Sequence, residues 1–251
     1  MDASIMDGDR LEIGSVAAVS DIEHPISLAK FILENYPNTI IAGEGAKNLS
    51  RCTDTGWISK GNMVSPRAML ALTLPKNSDS KLIYNVEDLE HADSLKKSWG
   101  TTGCVVWDGR SMAAGTTTGG LSGKMVGRVG DSPLLGCGTF ANNLAGCSLS
   151  GHGETITKLG LSRNVVTEIA EGSCPEDALR LNIDLMHRQS NRESGGIVLK
   201  RNGCWGVYFN TSRMPYAVVK KNIVTFGADL YEKKTENYFD PDSKLPKCRC
   251  H

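Results

Sequence analysis

No stretch of the 251-residue sequence is apolar for long enough to span a bilayer, and the N-terminus, MDASIMDGDR, carries no apolar signal core. Neither sign of charge is in surplus. Twenty-eight Lys and Arg balance 28 Asp and Glu, so no net field draws the chain to nucleic acid or an anionic membrane. A disulfide framework is missing too. Cys52, Cys104, Cys137, Cys147, Cys174 and Cys204 are scattered, and in a chain without a signal peptide they read as buried thiols. The tail KCRCH holds Cys248, Cys250 and His251, an incomplete and irregularly spaced ligand set that reads as a solvated terminus, not a metal site. What remains is a cytoplasmic globular protein, 40 % apolar and 22 % charged, long enough to bury one large core.

Periodicity supplies the elements. EHPISLAKFILENY reads as a helix with Pro25 at its first turn and Ile26, Ala29, Ile32 and Leu33 on one face. NTIIAG, residues 38–43, reads as a short buried strand. From about Ala46 to Ser98 the pattern weakens into an exposed loop or linker with patchy helix. CVVW, Asp108-Gly109 and RSMAAGTT form the pattern of a hairpin with a two-residue turn. LSRNVVTEIAEG predicts a helix stopped by Gly172. SCPEDALRLNIDLMHR predicts a second, with Ser173 and Glu176 in capping-box spacing. Two hairpins follow, GGIVLK-RNG-CWGVYFN and YAVVK-KN-IVTFGA. Strands, helices and strands again indicate a layered α+β sandwich in one domain.

Two glycine-rich stretches mimic nucleotide motifs. GCGTFA, Gly136 to Ala141, fits the loose dinucleotide fingerprint, but NNLAGCSLSG after it has no helical period. GGLSGKM lacks the first glycine of a phosphate loop, with Thr118 in its place, and Met125 replaces the hydroxyl residue after the lysine.

The stretch WGTTG, ending at Gly103, allows a sharper chemistry. A threonine becomes a competent nucleophile when its own α-amine, with a reference pKa of about 8, serves as base, and the chain must then be cut just before it. A preceding glycine permits the strained backbone such a cut needs. On these residues alone an ordinary strand start is the better reading. The wider run GTTGCVVWDGRSMAAGTTTGGLSGKMVGRVGDSPLLGCGTFANN with SGHGE, together with MDASIMDG, VAAVSDIEHPISLA, GEGA, GGIVLK and SRMPYAVVKKNIVTFGAD, resembles the plant-type asparaginase and isoaspartyl peptidase family of N-terminal-nucleophile hydrolases, including its animal members.

The resemblance implies a four-layer αββα sandwich, with residues 1–100 as an α-segment (linker about 46–98) and 101–251 as a β-segment. It implies self-cleavage between Gly100 and Thr101, with Thr101 as nucleophile, Thr102 as a plain strand residue and Thr118 supporting Thr101. Arg128 and Asp131 would hold the α-carboxylate and α-amine of the substrate, an assignment that suits a planar guanidinium and a carboxylate. Ser150, Gly151 and Gly153 would supply the oxyanion and substrate contacts. His152 is given no role, and Glu154 is read as a helix-start or core-rim residue. Implied substrates are L-asparagine and β-aspartyl dipeptides, with no cofactor, no metal, and a dimer of αβ units. Two other readings stand beside this one: an uncleaved, catalytically inactive relative, and a threonine protease.

Three departures from the family pattern carry expectations. Met1 aligns with an internal methionine of the family, so a leading segment with a central strand is expected to be missing. The hairpin at Asp108-Gly109 is shortened. A one-residue contraction before Ser150 either is absorbed at Gly146 or turns the Ser150 hydroxyl to the other face.

Overall fold

The computed structural model describes residues 1–64, 100–121 and 124–237, and all structural statements concern these. The KCRCH tail and most of the expected linker lie outside them. The chain is mixed α+β, with five helices and three sheets among the described residues.

The first sheet has five strands in the order β3-β2-β1-β5-β4, where β1 is Asp2–Asp7, β2 Glu12–Ala17, β3 Ile40–Ala42, β4 Thr101–Trp107 and β5 Met112–Thr118. Helix α1, Pro25–Asn35, lies on one face of this sheet and buries Leu28, Ala29 and Ile32 against Ala3 and Val16. The buried stripe is thus centred on Leu28, Ala29 and Ile32, while Ile26 and Leu33, expected at its heart, are only half-buried. Gly14 lets α1 settle on β2, because a side chain there would run into the Ala29 carbonyl. Truncating Ile32 would forfeit about 3 kcal/mol by the usual cost of an emptied core position.

The opposite face of the sheet meets a second, four-stranded sheet, β6-β7-β8-β9: Thr139–Ala141, Ala145–Gly151, Ser194–Lys200 and Trp205–Phe209. Met6, Met112 and Ala114 from the first sheet share one apolar cluster with Phe140, Cys147, Leu149 and Val198 from the second. Helices α4, Leu161–Ala170, and α5, Pro175–Ser190, add Val165, Val166, Ile169, Leu179, Ile183 and Met186 to it. Short helices α2, Gly43–Ser50, and α3, Gly153–Leu159, complete the set. A third sheet, β10-β11-β12, is formed by Tyr216–Lys220, Ile223–Gly227 and Lys234–Asn237.

Several expectations need correction. β3 exists but is not buried: it is an edge strand, and Ile40 is 42 % exposed. Helix α2 begins ahead of the expected linker, and Ala46 is fully buried against the α1 cluster. The β4–β5 connection has four residues, not two, since Trp107 pairs with Met112. Asp108 shapes it by accepting hydrogen bonds from the N–H groups of Arg110 and Ser111 at 2.8 and 2.7 Å, a side-chain turn that period-two patterning does not reveal. No capping box starts α5. Its N-cap is Cys174, whose thiol donates to Asp177, and Pro175 with Glu176 and Asp177 in the first turn suits the helix dipole. Of the described cysteines only Cys147 is buried, whereas Cys52, Cys104, Cys174 and Cys204 are exposed and Cys137 is intermediate. Cys104 shows why: it sits on the outer face of β4, a sheet edge.

Candidate active site

β5 runs between β1 and β4, and its register places Thr118 beside Thr101 on one side and Asp2 on the other. The Thr101 hydroxyl donates to Thr118 Oγ1 at 3.1 Å, and Thr118 Oγ1 also accepts the Gly120 N–H at 3.0 Å. Thr118 is only 8 % exposed, so this acceptor position is fixed before any ligand arrives. Strand alternation puts Thr101, Gly103 and Val105 on the face that meets β7. Side chains added at Gly103 would strike Ser148, and one at Gly146 would meet Val105 at 2.7 Å. Gly103 is therefore required by the close approach of β4 to β7, two residues along the strand from Thr101.

The same alternation places Ser148 and Ser150 on one face of β7. Ser150 pairs with Gly195 on β8 and joins Thr101 on the wall of a cavity of about 690 Å³. Ser150 thus shares the face of Ser148, the face that meets β4. Beneath this layer runs a line of buried hydroxyls that sequence reasoning missed. Thr116 Oγ1 lies 2.6 Å from both Ser148 Oγ and Thr139 Oγ1, and Ser4 Oγ lies 2.8 Å from Thr139 Oγ1. The residues signalled it only as threonines and serines at alternate strand positions.

Arg128 and Asp131 form a second cluster, on the loop between β5 and β6, and neither borders the cavity beside Thr101. They meet the start of α3. A side chain at Gly153 would come within 2.8 Å of Asp131 Oδ1 and 2.9 Å of Arg128 Nη2, so only glycine fits there. Gly151, φ +150°, makes the turn from β7 toward α3 where a side chain would press on Ser194. The Ser150–Gly153 stretch therefore joins the two clusters.

Glu154 is more than a rim residue. Its Oε1 takes the Arg128 Nε–H at 2.9 Å and sits 2.8 Å from Nη2, gripping one edge of the guanidinium. Burial works to raise the Glu154 carboxyl, but the Arg128 hydrogen bond, its own backbone N–H and the Arg128 charge together outweigh it and hold the group below its ordinary value. Asp131 behaves oppositely. Burial pushes its carboxyl up to about 7, against the partial relief of its own backbone N–H and the Arg128 charge. Asp131 Oδ2 is buried without a hydrogen-bond partner among the described residues. A desolvated, unpartnered carboxylate is costly to hold and strongly favours an incoming cation. His152 Nδ1 lies 2.8 Å from Thr155 Oγ1, within the first turn of α3, and burial lowers its pKa, so it stays neutral and local.

The comparisons with known proteins bear on this arrangement. A family sequence model described as Asparaginase matches residues 1–227. The chain belongs to this asparaginase family. It is 36 % identical over 239 residues to the isoaspartyl peptidase/L-asparaginase of Mus musculus, covering 94 % of this chain and 71 % of that protein. It is 36 % identical over 231 residues to the Homo sapiens protein of the same name, covering 91 % and 72 %. The plant-type L-asparaginase of Pyrococcus abyssi is 33 % identical over 229 residues, covering 89 % and 73 %. The nucleotide-loop reading of GCGTFA has no support in this family context, and in the structure the segment enters β6 and then β7, with no helix between.

Proposed function

We propose that the chain is a cytoplasmic threonine amidohydrolase that cleaves itself between Gly100 and Thr101, then hydrolyses L-asparagine and β-aspartyl dipeptides. The carrying observation is the Thr101–Thr118 hydroxyl pair, held in strand register at the edge of a cavity. Gly100 is exposed, and among the described residues other than its chain neighbour no atom lies within 4 Å of where a side chain would stand, so none of these covers the bond to be cut. Cleavage frees the Thr101 amine, which has a pKa of about 8 when unperturbed and lies within reach of its own hydroxyl.

Arg128 and Asp131 take the α-carboxylate and α-ammonium of the aspartyl unit. The Thr101 hydroxyl attacks the side-chain carbonyl, with its amine as base and then as acid to the leaving nitrogen. The Ser150 hydroxyl and the N–H groups of Gly151 and Gly153 are the donors offered to the developing oxyanion. Water then releases aspartate. The αββα layering is supported by α1 on one side of the facing sheets and α4 and α5 on the other. The dimer of αβ units rests on family resemblance.

The intact mass after incubation at neutral pH tests this directly. Two fragments meeting between Gly100 and Thr101 are expected, and the Thr101→Ala chain is expected to remain whole and inactive. A folded wild-type chain that stays whole, or that cleaves elsewhere, rejects the proposal.

A further inference from the structure

The two clusters fix the direction in which a substrate crosses the site. With the aspartyl α-groups at Arg128 and Asp131 and the scissile carbonyl at Thr101, the leaving group projects into the cavity that Thr101 borders. That cavity, about 690 Å³, falls in the range that holds drug-sized ligands, far more room than ammonia requires. Its far wall is the segment between β9 and β10, which carries Thr211, Arg213, Met214 and Pro215. Arg213 is the one charged residue lining the cavity among the described residues.

This segment is pinned from both ends. Asn210 N–H donates to the Ser194 carbonyl at 3.1 Å, while its Oδ1 accepts the Ser194 N–H at 2.8 Å. Met214 N–H donates to the Ala228 carbonyl at 2.9 Å, and the Thr211 hydroxyl reaches the Arg213 carbonyl at 3.3 Å. Arg213 therefore projects from a positioned backbone. Its Nε lies 2.8 Å from Asp229 Oδ1, and the side chains of the pair are 66 % and 61 % exposed. So exposed a pair holds its members weakly and is open to exchange. Beyond Nε, the guanidinium carries the Nη donors of the fork suited to a bidentate carboxylate.

We propose that Arg213 is a specificity-determining residue that takes the α-carboxylate of the amino acid released from a β-aspartyl dipeptide. This rests on the amidohydrolase reading above and sharpens it. The chain then prefers β-aspartyl peptides ending in a free carboxylate to those ending in an amide, and gains nothing from Arg213 on asparagine, whose leaving group is ammonia.

The test compares kcat/KM of the processed protein for β-aspartylglycine, β-aspartylglycinamide and L-asparagine. The wild-type ratio of acid to amide should be about tenfold, the size of one charge-assisted contact at a partly exposed site. Arg213→Gln should bring that ratio to about one, and Arg213→Lys should restore part of it, because charge remains while the fork is lost. Raising salt should shrink the wild-type ratio. A wild-type ratio near one, or one that survives in Arg213→Gln, overturns the inference while leaving the amidohydrolase reading intact. Failure to turn over any of the three compounds removes that reading and this inference with it.

Discussion

Behind Thr101, the inward-facing side chains of Thr118, Thr116, Ser148 and Thr139 are small, uncharged and hydrogen-bonded; strand register sets the Thr101–Thr118 pair, and packing of the two sheets sets those of Thr116 with Ser148 and Thr139. Around Arg128 the materials are opposite: three ionisable groups share a loop and a helix start, and Asp131 Oδ2 and Glu154 Oε2 are buried without hydrogen-bond partners among the described residues. The first region is complete without a ligand, as the setting of the proposed nucleophile would have to be if its geometry is to survive each turnover. The second is left electrostatically incomplete, and an amino acid's two α-charges would complete it. Stability is thus concentrated where positions must not move, and unfavourable desolvation where a charged ligand is to be held.

Replacing Asp131 should break this contrast most strongly. Asp131→Asn removes the carboxylate proposed to hold the substrate ammonium, and kcat/KM should fall by about 10²-fold or more, as for a lost buried charge partner. Its stability should move the other way. The folded pKa, about 7, lies above the ordinary 3.8, so between those values the folded chain keeps a proton the unfolded chain has released. The group's contribution therefore worsens as pH rises from about 4 to about 7 and stays unfavourable above. Melting curves should show Asp131→Asn a few degrees more stable than wild type at pH 8, with the gap narrowing as pH falls and closing only near pH 4. A variant less stable at both pH values would mean that Asp131 is structural.

Thr118→Val probes the completed side. It keeps the shape but removes the acceptor that fixes both the Thr101 hydroxyl and the Gly120 N–H. A drop in kcat of about 10- to 10²-fold is expected, with KM little changed, because on the proposed mechanism the lost contact orients Thr101 and touches no substrate charge. A rise in KM with kcat preserved would move Thr118 to the binding side.

How much of this could be read from the residues differs between the regions. Thr101 and Thr118 are marked by GTTG and TTTGG, and once two strands join through a short loop, pairing of those ends follows. The Ser150 face followed from alternation once β7 was placed. Glu154 was not legible: nothing near GHGE tells that a loop more than twenty residues earlier brings Arg128 to it, since that contact is made across the fold. The exposed cysteines were misread for a related reason. Apolar neighbours along a strand do not reveal that Cys104 belongs to an edge strand, with its side chain outward.

The smallest expected effect lies in the buried hydroxyl line. Ser148→Ala removes one partner of Thr116 Oγ1, which keeps the Gly138 carbonyl at 3.2 Å and the Thr139 hydroxyl at 2.6 Å. Because Thr116 is not orphaned, the loss should be about 1 kcal/mol of stability, seen as a few degrees in Tm, with kcat within a few-fold of wild type. Gly103→Ala should cost more, since the new methyl meets Ser148 directly and forces β4 from β7 at the strand that carries Thr101. Combining it with Ser148→Gly removes the obstructing side chain. If close packing of β4 on β7 positions the nucleophile, the double variant should regain both Tm and kcat relative to Gly103→Ala. Recovery of Tm alone would separate sheet packing from nucleophile placement, and the hydroxyl line would then support the fold without governing Thr101.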